Sequence, residues 1–250
     1  MKLADKRCLI TGGTRGIGAA TALEFARRGA DVALTGRFMD ADAHAVKHAI
    51  ENGTGRRCIL IPGDVAQPEA CRQAVRQTVE ELGALDVLFH NAGGAVPGSL
   101  MEVSAEAWYA AFDVHVHPIY HLCREAIPLM RERGEGAILL MSSAAGIRGC
   151  PGNFAYQTVK GTIVQITRAL ARELADSNIR VNCVAPGVIR TRFHESMTPE
   201  QVQNNLQNRI PLHREGTVED VAELAALLVE NEFITGETVS IDGGITMRIA

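Results

Sequence analysis

The sequence predicts an α/β fold of three layers, doubly wound around a mostly parallel sheet of about seven strands. Short apolar runs recur along the chain with almost no polar interruption, as in strands buried on both faces. Longer stretches of helical period separate them, the βαβ pattern of a parallel sheet. A glycine cluster stands at the first strand-to-helix crossing. Right-handed crossovers then place any ligand at the carboxyl ends of the strands.

The elements follow in order. Cys8-Leu9-Ile10 is a strand, and Gly16 to Arg28 a helix ending at Gly29. Val32-Ala33-Leu34 is the second strand, and Asp40 to Glu51 a helix stopped by Asn52-Gly53. Cys58-Ile59-Leu60-Ile61 is the third, before a helix with Pro68 in its first turn that runs to Leu82. Val87-Leu88-Phe89 and Ala137-Ile138-Leu139-Leu140-Met141 are strands separated by helical material from Ser104 to Arg133. A helix from Asn153 to Leu174 leads to a strand from Ile179 to Val184. The segment from Pro186 to Arg214 is irregular, with a short helix from Pro199 to Asn208, and suits a lid over a substrate. Thr217, with Asp220 three residues on, caps a helix to Val229, and Thr238-Val239-Ser240-Ile241 closes the series. No linker, composition shift or internal repeat divides the chain, so one domain over residues 1–250 is expected.

A hydrophobic content of 46% and a charged content of 22% are those of a globular protein. A net charge of -4 offers no electrostatic case for nucleic acid or an anionic membrane. No signal-like N-terminus or membrane-length apolar run stands out. The six cysteines lack a C-x-x-C pair, several fall in apolar runs, and they suggest reduced thiols in the cytoplasm with no disulfide or metal site.

Thr11-Gly12-Gly13-Thr14-Arg15-Gly16-Ile17-Gly18 lies at the first crossing. Glycines there let the backbone turn tightly and approach a pyrophosphate at the helix N-terminus, although the spacing departs from G-x-G-x-x-G. The tip of the second strand, Thr35-Gly36-Arg37, has no acid to hold a ribose 2′-hydroxyl, and Arg15 adds a second cation. Guanidinium groups suit a 2′-phosphate, so NADP(H) is favoured and NAD(H) stays open. Tyr156 and Lys160 share a helix face at i and i+4. An ammonium beside a phenol favours phenolate and suits Tyr156 to general acid/base work. Either feature alone also occurs by chance.

Taken together, these motifs resemble the short-chain dehydrogenase/reductase family over nearly the whole chain. The matching residues are Thr11 to Gly18, Asp64-Val65, Asn91-Ala92-Gly93, Ser142-Ser143, Tyr156 with Lys160, Pro186-Gly187 with Thr191, and Ile241-Asp242-Gly243-Gly244. The resemblance implies a Rossmann-type fold and a cofactor site of Gly12, Thr14, Arg15, Gly16, Ile17, Gly18 and Arg37. It extends that site to Asp64 and Val65 at the adenine, Asn91, Ala92 and Gly93 beside the sheet, and Pro186, Gly187, Val188 and Thr191 on the nicotinamide side. It also implies Ser143, Tyr156 and Lys160 as catalytic residues. One position departs: the run Asp113-Val114-His115-Val116 has His115 where the family usually places an asparagine that holds a relay water. A histidine donates, accepts and titrates near neutral pH, so a modified relay is expected, with a merely structural histidine or impaired catalysis as the alternatives. His90, another departure, reads as structural.

The expected reaction is hydride exchange at a secondary alcohol or carbonyl. The substrate is a small, polar molecule such as a sugar, polyol or oxo-acid, held by Ser143, Arg148, Cys150, Asn153 and Tyr156. Arg192 and His194 are further candidates. A 3-oxoacyl thioester reductase is the alternative, and a non-catalytic dinucleotide-binding scaffold is the alternative of another class. The family's habit implies a homo-oligomer, a tetramer or dimer.

Overall fold

The computed structural model describes residues 1–192 and 197–247. Its strands are β1 (Arg7–Thr11), β2 (Asp31–Gly36), β3 (Cys58–Pro62), β4 (Val87–His90), β5 (Gly136–Met141), β6 (Ile179–Pro186) and β7 (Thr238–Ile241). They form one sheet in the order β3-β2-β1-β4-β5-β6-β7, and every pairing is parallel. The helices are α1 (Gly16–Arg27), α2 (Ala41–Thr54), α3 (Pro68–Leu82), α4 (Ala105–His115), α5 (His117–Arg133), α6 (Phe154–Leu174), α7 (Pro199–Asn204) and α8 (Val218–Glu230).

Side-chain alternation explains the three layers. Cys8 and Ile10 of β1 enter one core with Phe25 of α1, Ile50 of α2 and Val229 of α8. Leu9 enters the other with Val75 of α3, Leu122 of α5 and Ile163 of α6. β5 divides the same way, with Leu139 on the first side and Ile138 and Leu140 on the second. Each such fully buried side chain contributes about 1.5–3 kcal/mol, which makes two-sided burial the main stabilising feature.

Strand order reverses between β1 and β4, where Thr11 stands opposite His90. That switch point is where ligands bind in open α/β sheets. Thr11 Oγ1 accepts from the backbone N–H groups of Asn91 and Ala92, each at 3.1 Å, and meets His90 Nδ1 at 2.9 Å. A hydroxyl has one proton, so Thr11 donates to Nδ1 and the His90 proton sits on Nε2.

Three elements differ from the sequence expectation. α2 runs through Asn52-Gly53 and stops at Gly55, whose φ of +68° closes the helix on the Glu51 carbonyl. A helix tolerates Asn-Gly in its last turn, and the left-handed cap terminates it. The material from Ser104 to Arg133 divides at Val116, because Pro118 in the first turn of α5 lacks the N–H that would continue α4. The short helix from Pro199 changes to a π-helical turn over Asn205–Arg209. By contrast, Thr217 and Asp220 form the expected reciprocal cap of α8.

Candidate active site

The glycine loop is shaped for an anion. Gly12 has φ +62°, and a Cβ on Gly18 would lie 2.2 Å from the Gly12 carbonyl oxygen. Asn91 Nδ2 donates to the carbonyls of Thr11 and Gly12 at 3.2 and 3.1 Å, tying the loop to the end of β4. The N-terminus of α1 has no side-chain cap and no acid in its first turn. Its N–H groups and dipole suit a phosphate. The residues present therefore fit a dinucleotide pyrophosphate. Thr191 lies opposite this loop, its methyl 3.6 Å from where a Gly16 Cβ would be. Gly187 continues from β6 with its N–H on the Ile241 carbonyl at 3.0 Å. Val188 meets Gly216. At the end of β3, Asp64 turns its carboxylate onto the N–H of Ala66 at 3.0 Å, and the Val65 carbonyl accepts from the Cys71 thiol.

The second half of the site gathers beyond β5. Ser143 opens a short 3-10 turn over Ala144–Gly146, its hydroxyl accepting from Ala145 N–H at 3.2 Å. Tyr156, in the first turn of α6, lies within electrostatic reach of the Ser143 hydroxyl. Lys160 follows one turn later with its ammonium 5.6 Å from the Tyr156 ring centre. It donates to the Met141 carbonyl at 2.8 Å. The backbone of Lys160 is held in turn by the Ser142 hydroxyl at 2.7 Å.

The expected depression of the Tyr156 pKa is not what this geometry produces. Burial raises it above the ordinary phenol value; the Ser143 hydroxyl opposes that, and the nearby Cys150 adds to it. The Lys160 ammonium is 3% exposed and is lowered to about 8 by burial. Burial is the largest cause at both groups, and one N–H of the Lys160 ammonium is held by the Met141 carbonyl.

His115 stands beside these residues, with contacts of the kind expected of a structural histidine. The ring is 2% exposed, packs edge-on to Tyr156 with centroids 5.9 Å apart, and lies so close to Gly93 that a Cβ there would be 2.4 Å from Cε1. Its Nε2 contacts the Gly94 carbonyl at 3.0 Å and the Gly94 N–H at 3.3 Å. Nε2 thus faces both polar groups of Gly94, and Nδ1 is buried without a partner among the described residues. Burial first, then Lys160 and His90, push its pKa down to about 2, so it is neutral at working pH rather than titrating. His90 is lowered to about 3, by burial and then by Lys160.

The substrate-side residues divide. Gln157 holds Cys150 by both backbone groups, at 2.9 and 3.2 Å. Asn153 donates to the Cys150 sulfur and the Pro151 carbonyl, and its segment meets Gly98. The structure therefore brings Cys150 and Asn153 to the Tyr156 side of the cleft. Arg148 instead donates to the Thr246 carbonyl at 2.9 Å, and Arg192 pairs with Asp42 at 2.8 Å. His194 lies outside the described residues. Sequence reasoning overlooked Thr11 as the pin of the switch point. It also overlooked Asp40, which joins Arg15 across 25 residues; its position just before a helix was the available signal.

Comparison with known proteins places this architecture. Residues 12–246 match the family described as enoyl-(acyl carrier protein) reductase. The chain is 35% identical over 245 residues to the 3-oxoacyl-[acyl-carrier-protein] reductase of Chlamydia muridarum, covering 97% of this chain and 98% of the relative. It superposes on L-sorbose reductase from Gluconobacter frateurii, solved with NADPH and L-sorbose, with a TM-score of 0.92, 28% identity and coverage of 100% and 99%. A short-chain dehydrogenase from Burkholderia cenocepacia, solved with NADP, gives a TM-score of 0.91, 35% identity and coverage of 98% and 99%. Fold and likeness together define an oxidoreductase of the doubly wound, nicotinamide-dinucleotide-binding class. Within that class, the chain belongs to the short-chain dehydrogenase/reductase family. Among the described residues, no helix is long and apolar enough to cross a membrane.

Proposed function

We propose that this protein interconverts a secondary alcohol and a carbonyl on a small substrate, using NADP(H). The observation that carries the reaction class is the gathering of Ser143, Tyr156 and Lys160 at the carboxyl edge of the sheet, with the Lys160 ammonium 5.6 Å from the Tyr156 ring centre, across the switch point from an uncapped α1 N-terminus. When bound, the nicotinamide supplies or accepts the hydride. Ser143 donates to the substrate oxygen and steadies the negative charge that develops on it. Tyr156, kept protonated by burial, gives its proton to that oxygen in the reductive direction. Lys160, anchored on Met141, fixes the floor of the cleft and faces the ribose side. Neutral His115 positions the Gly94 backbone at the cleft wall.

NADP(H) is supported by Arg15 and Arg37 near the β2 tip and by the NADPH and NADP complexes of two structural relatives. Two substrate readings remain in play. A free polar alcohol or sugar agrees with the L-sorbose reductase likeness, but Arg148 and Arg192 are engaged elsewhere, so the polar contacts fall to Ser143, Asn153, Cys150 and Tyr156. A 3-oxoacyl thioester agrees with the identity to acyl-carrier-protein reductases. Turnover on free polar alcohols and ketones, and on 3-oxoacyl thioesters, with NADP(H) and NAD(H) in parallel, separates them. Tyr156→Phe should lower kcat about 10²–10⁴-fold while dinucleotide binding persists. Retained turnover would overturn the assignment.

A further inference from the structure

The end of the cleft where a ribose 2′-phosphate would lie carries three guanidinium groups, and two of them, Arg15 and Arg192, are matched by carboxylates. Gly36, at the tip of β2, packs against Thr14, since a Cβ there would be 2.9 Å from the threonine side chain. This contact sets the glycine loop against the strand tip, so Arg15 and Arg37 follow directly from touching residues. Arg37 is exposed and stacks over Phe38, 5.9 Å from the ring centre. Arg15 is ion-paired with Asp40, both side chains half-exposed. The two Asp40 oxygens divide their work: Oδ1 accepts the Ala43 N–H at 3.2 Å as the cap of α2, and Oδ2 takes Arg15. Asp42 is paired separately with Arg192.

We propose that Asp40 is a built-in competitor for the cofactor's 2′-phosphate and thereby sets how strongly the protein discriminates NADP(H) from NAD(H). In the free protein the carboxylate holds Arg15, and a 2′-phosphate takes that guanidinium from it. The exchange is feasible because an exposed ion pair is weak. A phosphate brings more charge and more acceptor oxygens to a planar donor fork. NAD(H) has no group there to make the exchange, so its binding does not depend on Asp40. This inference rests on the NADP(H) reading above.

Asp40→Asn isolates the charge, because asparagine is as good a helix cap as aspartate. Binding of adenosine 2′,5′-bisphosphate, NADP+ and NAD+ to the free protein should be measured by calorimetry, with the thermal midpoint as a folding control. Asp40→Asn should bind the bisphosphate and NADP+ about 3- to 5-fold more tightly, the upper scale of one surface charge pair, and leave NAD+ within about 1.5-fold. In an Arg15→Gln background the gain should vanish, as a direct coupling requires. Unchanged bisphosphate affinity would overturn the proposal. So would weakened NAD+ binding, which would make Asp40 a ligand of the ribose hydroxyl. A wild-type protein that binds NAD+ as tightly as NADP+ would sink the NADP(H) reading, whereas the Asp40 proposal is judged on the changes that Asp40→Asn makes in bisphosphate and NAD+ binding.

Discussion

The two ends of the cleft are built from opposite electrostatics. At the β4–β5–α6 end, Lys160, His115 and His90 are at most 3% exposed and shifted strongly toward their neutral forms. At the β2–α2 end, Arg15, Arg192, Asp40 and Asp42 sit in half-exposed pairs. Burial governs the first region and pairing the second. Water screens charges at the outer end and leaves their contacts exchangeable. Its exclusion at the inner end makes protonation and shape stringent.

The contrast can be tested in order of expected effect. Ser143→Ala at the dry end should cost about 10²–10³-fold in kcat, as loss of one donor to a developing oxyanion does. Dinucleotide binding should be unchanged by calorimetry, and a loss confined to KM would give Ser143 a binding role only. Acid should next weaken the fold through His90 and His115. Their folded pKa values lie below the unfolded value near 6.5, so the unfolded chain binds more protons as pH falls. Stability is then full above about pH 6.5 and declines below it, by up to about 1.4 kcal/mol per pH unit for each histidine. Urea unfolding between pH 6.5 and 5.5 would show the slope, and ring resonances of these two histidines should stay untitrated from pH 7.5 to 5.

Gly93→Ala should destabilise by about 1–3 kcal/mol, the range for overpacking, because its methyl would enter the His115 ring. Pairing it with His115→Ala should restore much of the loss in denaturant melts. At the wet end, Arg192→Ala should shift stability by well under about 1 kcal/mol, with the difference fading in salt. A large, salt-insensitive loss there would erase the distinction between the regions.

The same contrast explains what could be read in the chain. β1, β5 and β6 were legible because two-sided burial leaves continuous apolar runs, and Thr217 with Asp220 is a local signal. Ser143, Tyr156 and Lys160 were legible as a family pattern, and the structure brings them together. The direction of the Tyr156 shift was not, because it depends first on how much water reaches the phenol. Helix spacing does not encode that. The contact of His115 with Gly93, the pairing of Arg15 with Asp40, and the diversion of Arg148 to Thr246 join residues distant in sequence. Only the folded chain brings such partners together.

The fit of the His115 ring over Gly93 also constrains the order in which this chain can change. While the imidazole is in place, a side chain at position 93 meets it at once, so that position will look immutable in any library that varies it alone. Shrink position 115 first and position 93 opens to small residues. A stepwise search and a joint search over the two positions should therefore recover different sets of working sequences. The stepwise search reaches well-packed variants with a side chain at 93 only when position 115 changes first.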